Sequence, residues 1–328
     1  TTDSENHSML TQVLLGHEPI QQRFTERLQQ QTMPHAWMLY GMKGIGKAML
    51  AEQLAQTYVC EALTRSGLPC AQCHSCHMVK AGTHPDLEQV GLTWHEKKQQ
   101  YRRDIRVDQI RQALDFLSLT GMNSERRVLI LDDANHMNLA ASNALLKGLE
   151  EPTSGTLLLI VCHDISALPE TIRSRCLLEH CSPLENHDVH QVLQSMALPQ
   201  HILPLAKTLA KGCPGRIQAL HDESIAAACL QWQSLTQLMQ HTDLGEIDMW
   251  LQKHVQKVPS ELIVSILVEP LQQAMQEWTG DYMMFERIYS AIHALLAWEH
   301  DVHAHALRPI PSLLARILQV RKLWKQGS

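Results

Sequence analysis

Residues 36–48 read Ala36-Trp-Met-Leu-Tyr40-Gly41-Met-Lys-Gly44-Ile-Gly46-Lys47-Ala48, a short apolar run that ends in a glycine-rich turn. A helical pattern follows at once, with Leu50, Leu54 and Tyr58 on one face at i, i+4 and i+8. Strand, turn and helix in that order are the context in which G-x-x-x-x-G-K-[ST] is credible as a phosphate loop. Gly41, Gly44, Gly46 and Lys47 fit that pattern. Its chemistry is a set of backbone N–H groups and a helix N-terminus gathered around phosphates, with Lys47 pairing the terminal ones. Ala48 breaks the pattern at its last position, because it has no hydroxyl to offer magnesium. A plain glycine-rich turn is the alternative, and the flanking strand and helix argue against it.

The partner of such a loop is an apolar strand ending in acid, and residues 128–133 read Val-Leu-Ile-Leu-Asp132-Asp133. Asp132 stands where an acid orients magnesium. Asp133 stands where a glutamate positions the attacking water, and it is one methylene shorter. Gly41, Gly44, Gly46, Lys47, Asp132 and Asp133 are therefore the candidate nucleotide-binding residues of a degenerate site. Two defects point the same way: phosphate-loop architecture, doubtful ATP binding and no hydrolysis.

Outward from this pair, apolar runs at 86–90, 156–161 and 176–180 alternate with helical patterns at 107–118 and 139–151, the latter stopped by Pro152. That alternation predicts an α/β domain whose parallel sheet is covered on both faces. From about Asn186 the strand signal ends. The rest reads as helix, broken near 212–214, 245, 259, 280 and 309–311. Within it, Leu313, Ile317, Val320 and Leu323 share one face, to pack inside their own domain or against a neighbour. The expected division is a polar extension at 1–8, an α/β domain over 9–182, a small helical segment over 183–224 and a helical domain over 225–328.

At 328 residues the chain has room for two or three cores. A hydrophobic share of 45% against 19% charged excludes wholesale disorder. The net charge of -6 argues against a chain that coats nucleic acid, so any DNA contact is local or made through partners. No apolar run reaches the ~18 residues of a membrane helix. The first eight residues lack the pattern of a secretory signal, so a cytoplasmic location is expected. There, free thiols or a metal site are expected rather than disulfides.

Four of the nine cysteines lie at Cys60, Cys70, Cys73 and Cys76, a C-x9-C-x2-C-x2-C spacing. Four thiolates this close suit a closed, tetrahedral structural zinc. Two rivals exist. Cys70–His74 and Cys73–His77 each match the C-x-x-C-H haem-attachment pattern, but the copies overlap and share Cys73. Unliganded surface thiols are the other. The remaining cysteines are scattered singly and read as core fillers. The basic stretch 94–106, with Trp94 and Tyr101 interleaved, reads as a solvated loop before it reads as a DNA contact.

Asn143-Ala-Leu-Leu-Lys-Gly-Leu-Glu-Glu-Pro152, followed by Thr171-Ile-Arg-Ser-Arg175-Cys176, resembles the clamp-loader branch of the AAA+ superfamily. His35-Ala-Trp-Met-Leu-Tyr-Gly41, the cysteine insert after the first helix and Gly212-Cys-Pro-Gly-Arg-Ile-Gln-Ala-Leu220 fit the same branch. The resemblance covers about Leu14 to Leu220. It implies an AAA+ domain with a zinc-binding insert at about 60–85, a lid over 183–224 and a collar domain over 225–328. The gamma and tau subunits of this branch hydrolyse ATP with an intact loop; this chain looks like the branch's non-hydrolysing subunit. The resemblance then implies that Arg175 is an arginine finger, reaching the gamma phosphate of ATP held by a gamma or tau neighbour. A guanidinium there spreads positive charge over developing phosphoryl oxygens. Arg173 falls outside the Ser-Arg-Cys core. The sensor position after the fourth strand holds Cys162 or His163, and Arg216 lies one residue late for a sensor arginine. The implied partners are gamma or tau, the clamp-opening delta subunit, the sliding clamp and primed DNA, in a hetero-oligomer active in replication, with no polymerase site in this chain. The alternatives are an ATP-hydrolysing gamma/tau-type subunit and a zinc-dependent DNA-binding module.

Overall fold

The structure is a computed structural model, and it describes residues 14–64, 66–95, 100–101, 104–118, 126–237, 243–276, 281–298, 301–302 and 307–327. Residues 1–8 lie outside these, as do residues 96–99 and 102–103 of the basic stretch 94–106. The chain divides into two compact units, one through Asp188 and one from Val189.

The first unit is built on a five-stranded sheet of β1 (Ala36–Tyr40), β2 (Leu87–Val90), β5 (Arg127–Leu131), β6 (Thr156–Cys162) and β7 (Leu177–His180). Its order is β2-β5-β6-β1-β7 and every pairing is parallel. Apart from Arg127 and Thr156, which open β5 and β6, the central strands are apolar because both faces are covered. Alternation assigns the residues to faces. Ala36, Met38, Leu129, Leu131, Leu158, Ile160 and Cys162 pack in one core with α4 (Val107–Ser118), α5 (Leu139–Glu150) and α6 (Glu170–Arg173). Trp37 points to the other face, its ring 5.0 Å from that of Phe24 on α1 (Glu18–Gln29). There α2 (Lys47–Val59) buries Leu50, Leu54 and Tyr58, each aliphatic side chain worth about 1.5–3 kcal/mol.

Between α2 and β2 the chain forms a small lobe around α3 (His74–Lys80). A two-stranded antiparallel pair, β3 (Trp94–His95) and β4 (Gln100–Tyr101), follows β2. The strands at 86–90, 128–131, 156–161 and 176–180 fall within a residue of the observed ones, as do the helices at 107–118 and 139–151.

The second unit is helical among its described residues. It contains α8 (Leu203–Ala210), a 3-10 stretch (Pro214–His221), α9 (Glu223–Gln237), α10 (Leu244–His254), α11 (Ser260–Gln276), α12 (Tyr282–Leu296) and α13 (Pro309–Gly327). The helix α7 (Asn186–Ser195) runs across the division. Tryptophans anchor this core: the Trp232 and Trp250 rings lie 4.7 Å apart, and Trp250 Nε1 donates to the Ala228 carbonyl. Leu313, Ile317 and Val320 of α13 are buried. No helix among the described residues is long and apolar enough to cross a membrane.

Candidate functional site

The loop after β1, the acids after β5 and the residues after β6 all sit at the carboxyl end of the parallel sheet, where open α/β folds bind ligands. Gly41, Gly44 and Gly46 take φ of 144°, 82° and 94°, which glycine adopts without strain. Gly41 is also sterically required. A Cβ there would lie 2.3 Å from the Cys181 carbonyl oxygen, just past β7. Gly46 caps α2 at its N-terminus, so the loop's N–H groups and the helix end share one place.

Lys47 is buried, and its Nζ donates to the carbonyls of Gly41 and Met42, at 2.7 Å each. Burial pulls its pKa below the usual lysine range, against the opposing pull of Cys181, Cys162, Asp133 and Asp132. The ammonium thus folds onto its own loop. Ala48 follows it in the first turn of α2.

Asp132 and Asp133 stand directly after β5. Burial raises the Asp132 pKa, and the neighbouring Asp133 carboxylate adds to this. Asp133 has a left-handed backbone, φ 53°. Burial pushes its pKa up, but contact with His163 outweighs this, and the net shift is downward. His163 Nε2 lies 2.5 Å from Asp133 Oδ1, close but not aligned as a hydrogen bond. Asn135 ties the same two loops. Its side chain donates to the Asp164 carbonyl at 2.7 Å and accepts from the His163 N–H at 2.6 Å. His17 braces the loop from the N-terminal side, its Nε2 2.8 Å from the Ile45 carbonyl oxygen.

Of these, sequence reasoning placed His163 only as one of two occupants of a sensor position, and it missed Asn135 and His17. Their sole signal is a polar residue beside a strand end or before a helix, which many surface loops share.

The residues present fit a phosphate: a glycine loop, a helix N-terminus and a lysine. They do not fit magnesium equally well, since Ala48 lacks the hydroxyl and Asp133 is engaged by His163.

Cys60, Cys70, Cys73 and Cys76 come together in the lobe around α3, their Sγ atoms all within 4.8 Å of one another. Separations of 4.0 Å (60 to 73), 3.9 Å (70 to 76) and 3.7 Å (60 to 76) approach the edge of a tetrahedron with bonds of 2.3 Å, about 3.8 Å. The backbone N–H groups of Cys70, Cys73 and Cys76 point at the sulfurs of Cys60, Cys70 and Cys73. Backbone donors of this kind lower the Cys70 thiol to about 6, against burial that raises Cys76. Glu61 fastens the lobe by accepting from the Ser75 N–H and hydroxyl. This cluster can hold a metal ion.

Arg175 follows α6. Its Nη1 donates to the Thr171 carbonyl at 2.8 Å, and its Nη2 lies 2.8 Å from Glu150 Oε1 at the end of α5. The Arg175 side chain is 36% exposed. The Nε of Arg173, by contrast, is buried.

A glycine loop at the carboxyl end of a five-stranded parallel sheet, a metal-capable cysteine lobe and a helical second unit define the class by fold, a phosphate-loop α/β protein with a helical extension. The family of "DNA polymerase III, delta subunit" matches residues 16–185, and the chain belongs to it, on its delta-prime side. A delta-prime subunit from Pseudomonas aeruginosa is 37% identical over 194 residues, 58% of this chain and 57% of that protein. One from Bacillus subtilis is 26% identical over 286 residues, covering 84% of this chain and 83% of that protein. The chain thus spans a little over half the length of the first relative and most of the second. Gamma and tau subunits are among the other relatives. A gamma-subunit-related protein of Thermotoga maritima shares the fold, with a TM-score of 0.52 at 14% identity over 93% of this chain and 99% of that one.

Proposed function

We propose that this chain is a non-hydrolysing member of the clamp loader that assists a neighbour's ATPase. The observation that carries the reading is the state of its own loop. Ala48 follows Lys47 at the position where magnesium's hydroxyl ligand belongs. A loop in that state keeps the scaffold of a nucleotide site without its chemistry. Arg175 supports the second half of the reading. It stands half-exposed on the short turn after α6, where a guanidinium can meet the gamma phosphate of ATP on a gamma or tau neighbour.

On this reading the cysteine lobe holds a structural zinc. Its four thiolates leave no open position for a reacting water, so the metal supplies rigidity. Residues 183–224 act as the lid and 225–328 as the collar that joins the other subunits. The chain works in a hetero-oligomer with gamma or tau and delta, placing the sliding clamp on primed DNA in the cytoplasm.

The test is ATP turnover by rings of gamma or tau with delta, clamp and primed DNA, assembled with this chain or its Arg175→Ala variant. The isolated chain runs alongside. An inert isolated chain and a large drop for the variant are expected, because such arginines contribute ~10³–10⁵ in related phosphoryl transfers. Turnover by the chain alone, abolished by Lys47→Ala, refutes the reading.

A further inference from the structure

We infer that Glu150 is the positioning residue for Arg175. The inference rests on the reading of Arg175 as a finger acting in trans. The two side chains come from elements fixed by the same core. Leu149, one residue before Glu150, is 2% exposed, and Ile172, three before Arg175, is fully buried; both pack in the core under α5 and α6. The exposed pair therefore stands on a rigid apolar base, while the arginine's long side chain has many rotamers to choose among.

Two contacts restrain that freedom. Nη1 donates to the Thr171 carbonyl, and Nη2 meets Glu150 Oε1 at 2.8 Å. A guanidinium has five N–H groups, and these contacts use two of them, so the fork keeps donors for a phosphate. Thr171 contributes only backbone here. Glu150 is the side chain that sets the direction of the fork.

The exposure of the pair decides what kind of role this is. Glu150 is 52% exposed and Arg175 36% exposed. An ion pair in that setting adds little to the stability of the fold. It acts instead on the orientation of the guanidinium before the phosphate arrives. The neighbour's polyphosphate bears more charge than one carboxylate, so Glu150 does not trap the finger.

The test uses the assembled loader with gamma or tau, delta, clamp and primed DNA. This chain is supplied as wild type, Glu150→Ala, Glu150→Gln, Arg175→Ala or the Glu150→Ala/Arg175→Ala double variant. Glu150→Ala is expected to lower kcat about two- to fivefold, the range a surface ion pair spans, with KM for ATP unchanged. Glu150→Gln, which keeps the accepting oxygen, recovers most of the rate. In the Arg175→Ala background the Glu150 change has no further effect. An equal loss in both backgrounds overturns the inference, since Glu150 would then act independently of Arg175. A rise in turnover overturns it too, because Glu150 would be a restraint. If Arg175→Ala lowers turnover and Glu150→Ala does not, the positioning role alone fails. If Arg175→Ala changes nothing, the finger reading fails and takes this inference with it.

Discussion

Replacing Gly41 by alanine strikes the phosphate loop where the sheet closes around it. The Cβ would sit 2.3 Å from the Cys181 carbonyl oxygen and 3.2 Å from Ile45 Cδ1, at a φ of 144°. The first obstacle is backbone and cannot rotate away. Nor can the two chains part freely, because the Cys181 N–H donates to the Tyr40 carbonyl at 2.8 Å, one residue before the glycine. Backbone strain of this kind costs about 1–3 kcal/mol. Forcing a packed site apart costs about 1–3 kcal/mol more. The sum, about 2–6 kcal/mol, lowers the Tm of a unit this size by ~4–24 °C, at ~2–4 °C per kcal/mol. Gly82 supplies the control. It also has a positive φ, 67°, but a Cβ there would meet nothing within 4 Å. Gly82→Ala therefore carries only the left-handed backbone cost, about 1–2 kcal/mol. Calorimetry of the full chain, following the transition of the first unit, compares the two. The reasoning is refuted if Gly41→Ala melts within about 2 °C of Gly82→Ala.

Two further outcomes can be checked directly. The purified chain should carry one zinc by elemental analysis, and Cys73→Ser should lose it and lower the melting temperature of the first unit; a metal-free wild type that melts unchanged in chelator would remove the zinc reading. Burial, aided by Lys253 and Lys257, pulls the His254 pKa below its ordinary 6.5, with the ring tilted against Trp250 at 5.2 Å between centroids. The folded state thus prefers the neutral ring, so its contribution is complete above about pH 6.5 and is lost as pH falls through the folded pKa. Urea melts at pH 7.5 and 5.5 should show a smaller loss for His254→Gln than for wild type, and equal slopes would contradict the assignment.

The elements legible in the sequence are those whose signal is local. β1, β5 and β6 are buried on both faces and read as apolar runs, with a polar residue only at the start of β5 (Arg127) and of β6 (Thr156). The loop glycines and Lys47 are legible because their chemistry is written in adjacent residues. The cysteine lobe is legible because four sulfurs lie within 17 residues of chain. What escaped is non-local or faint. Helix α1 escaped because its buried face rests on two residues, Ile20 and Phe24, in an otherwise polar segment. Asn135, His17 and the contact of His163 with Asp133 escaped because each joins positions 28 to 30 residues apart, brought together by the β5–β6 pairing for Asn135 and His163 and by the return of the chain through α1 and β1 for His17. Pro270 sits inside α11 without ending it, since Leu267, Val268 and Leu271 around it are held in the core.

On the proposed reading, that division bears on how such a site loses its chemistry. Ala48 removes a magnesium ligand through one local change, visible in the sequence. The engagement of Asp133 by His163 acts on the opposite wall of the site, and it depends on a residue from the next strand. The two changes are independent in sequence and converge on the same cation position, so restoring a hydroxyl at position 48 still leaves Asp133 occupied. Meanwhile the glycines, the buried lysine and the strand order remain, because they also hold the ends of β1 and β7 together at Gly41 and Cys181. On the proposed reading this is why the loop outlasts its reaction. Its backbone is part of the sheet's closure, and the same sheet carries the α5–α6 base from which Glu150 and Arg175 face outward.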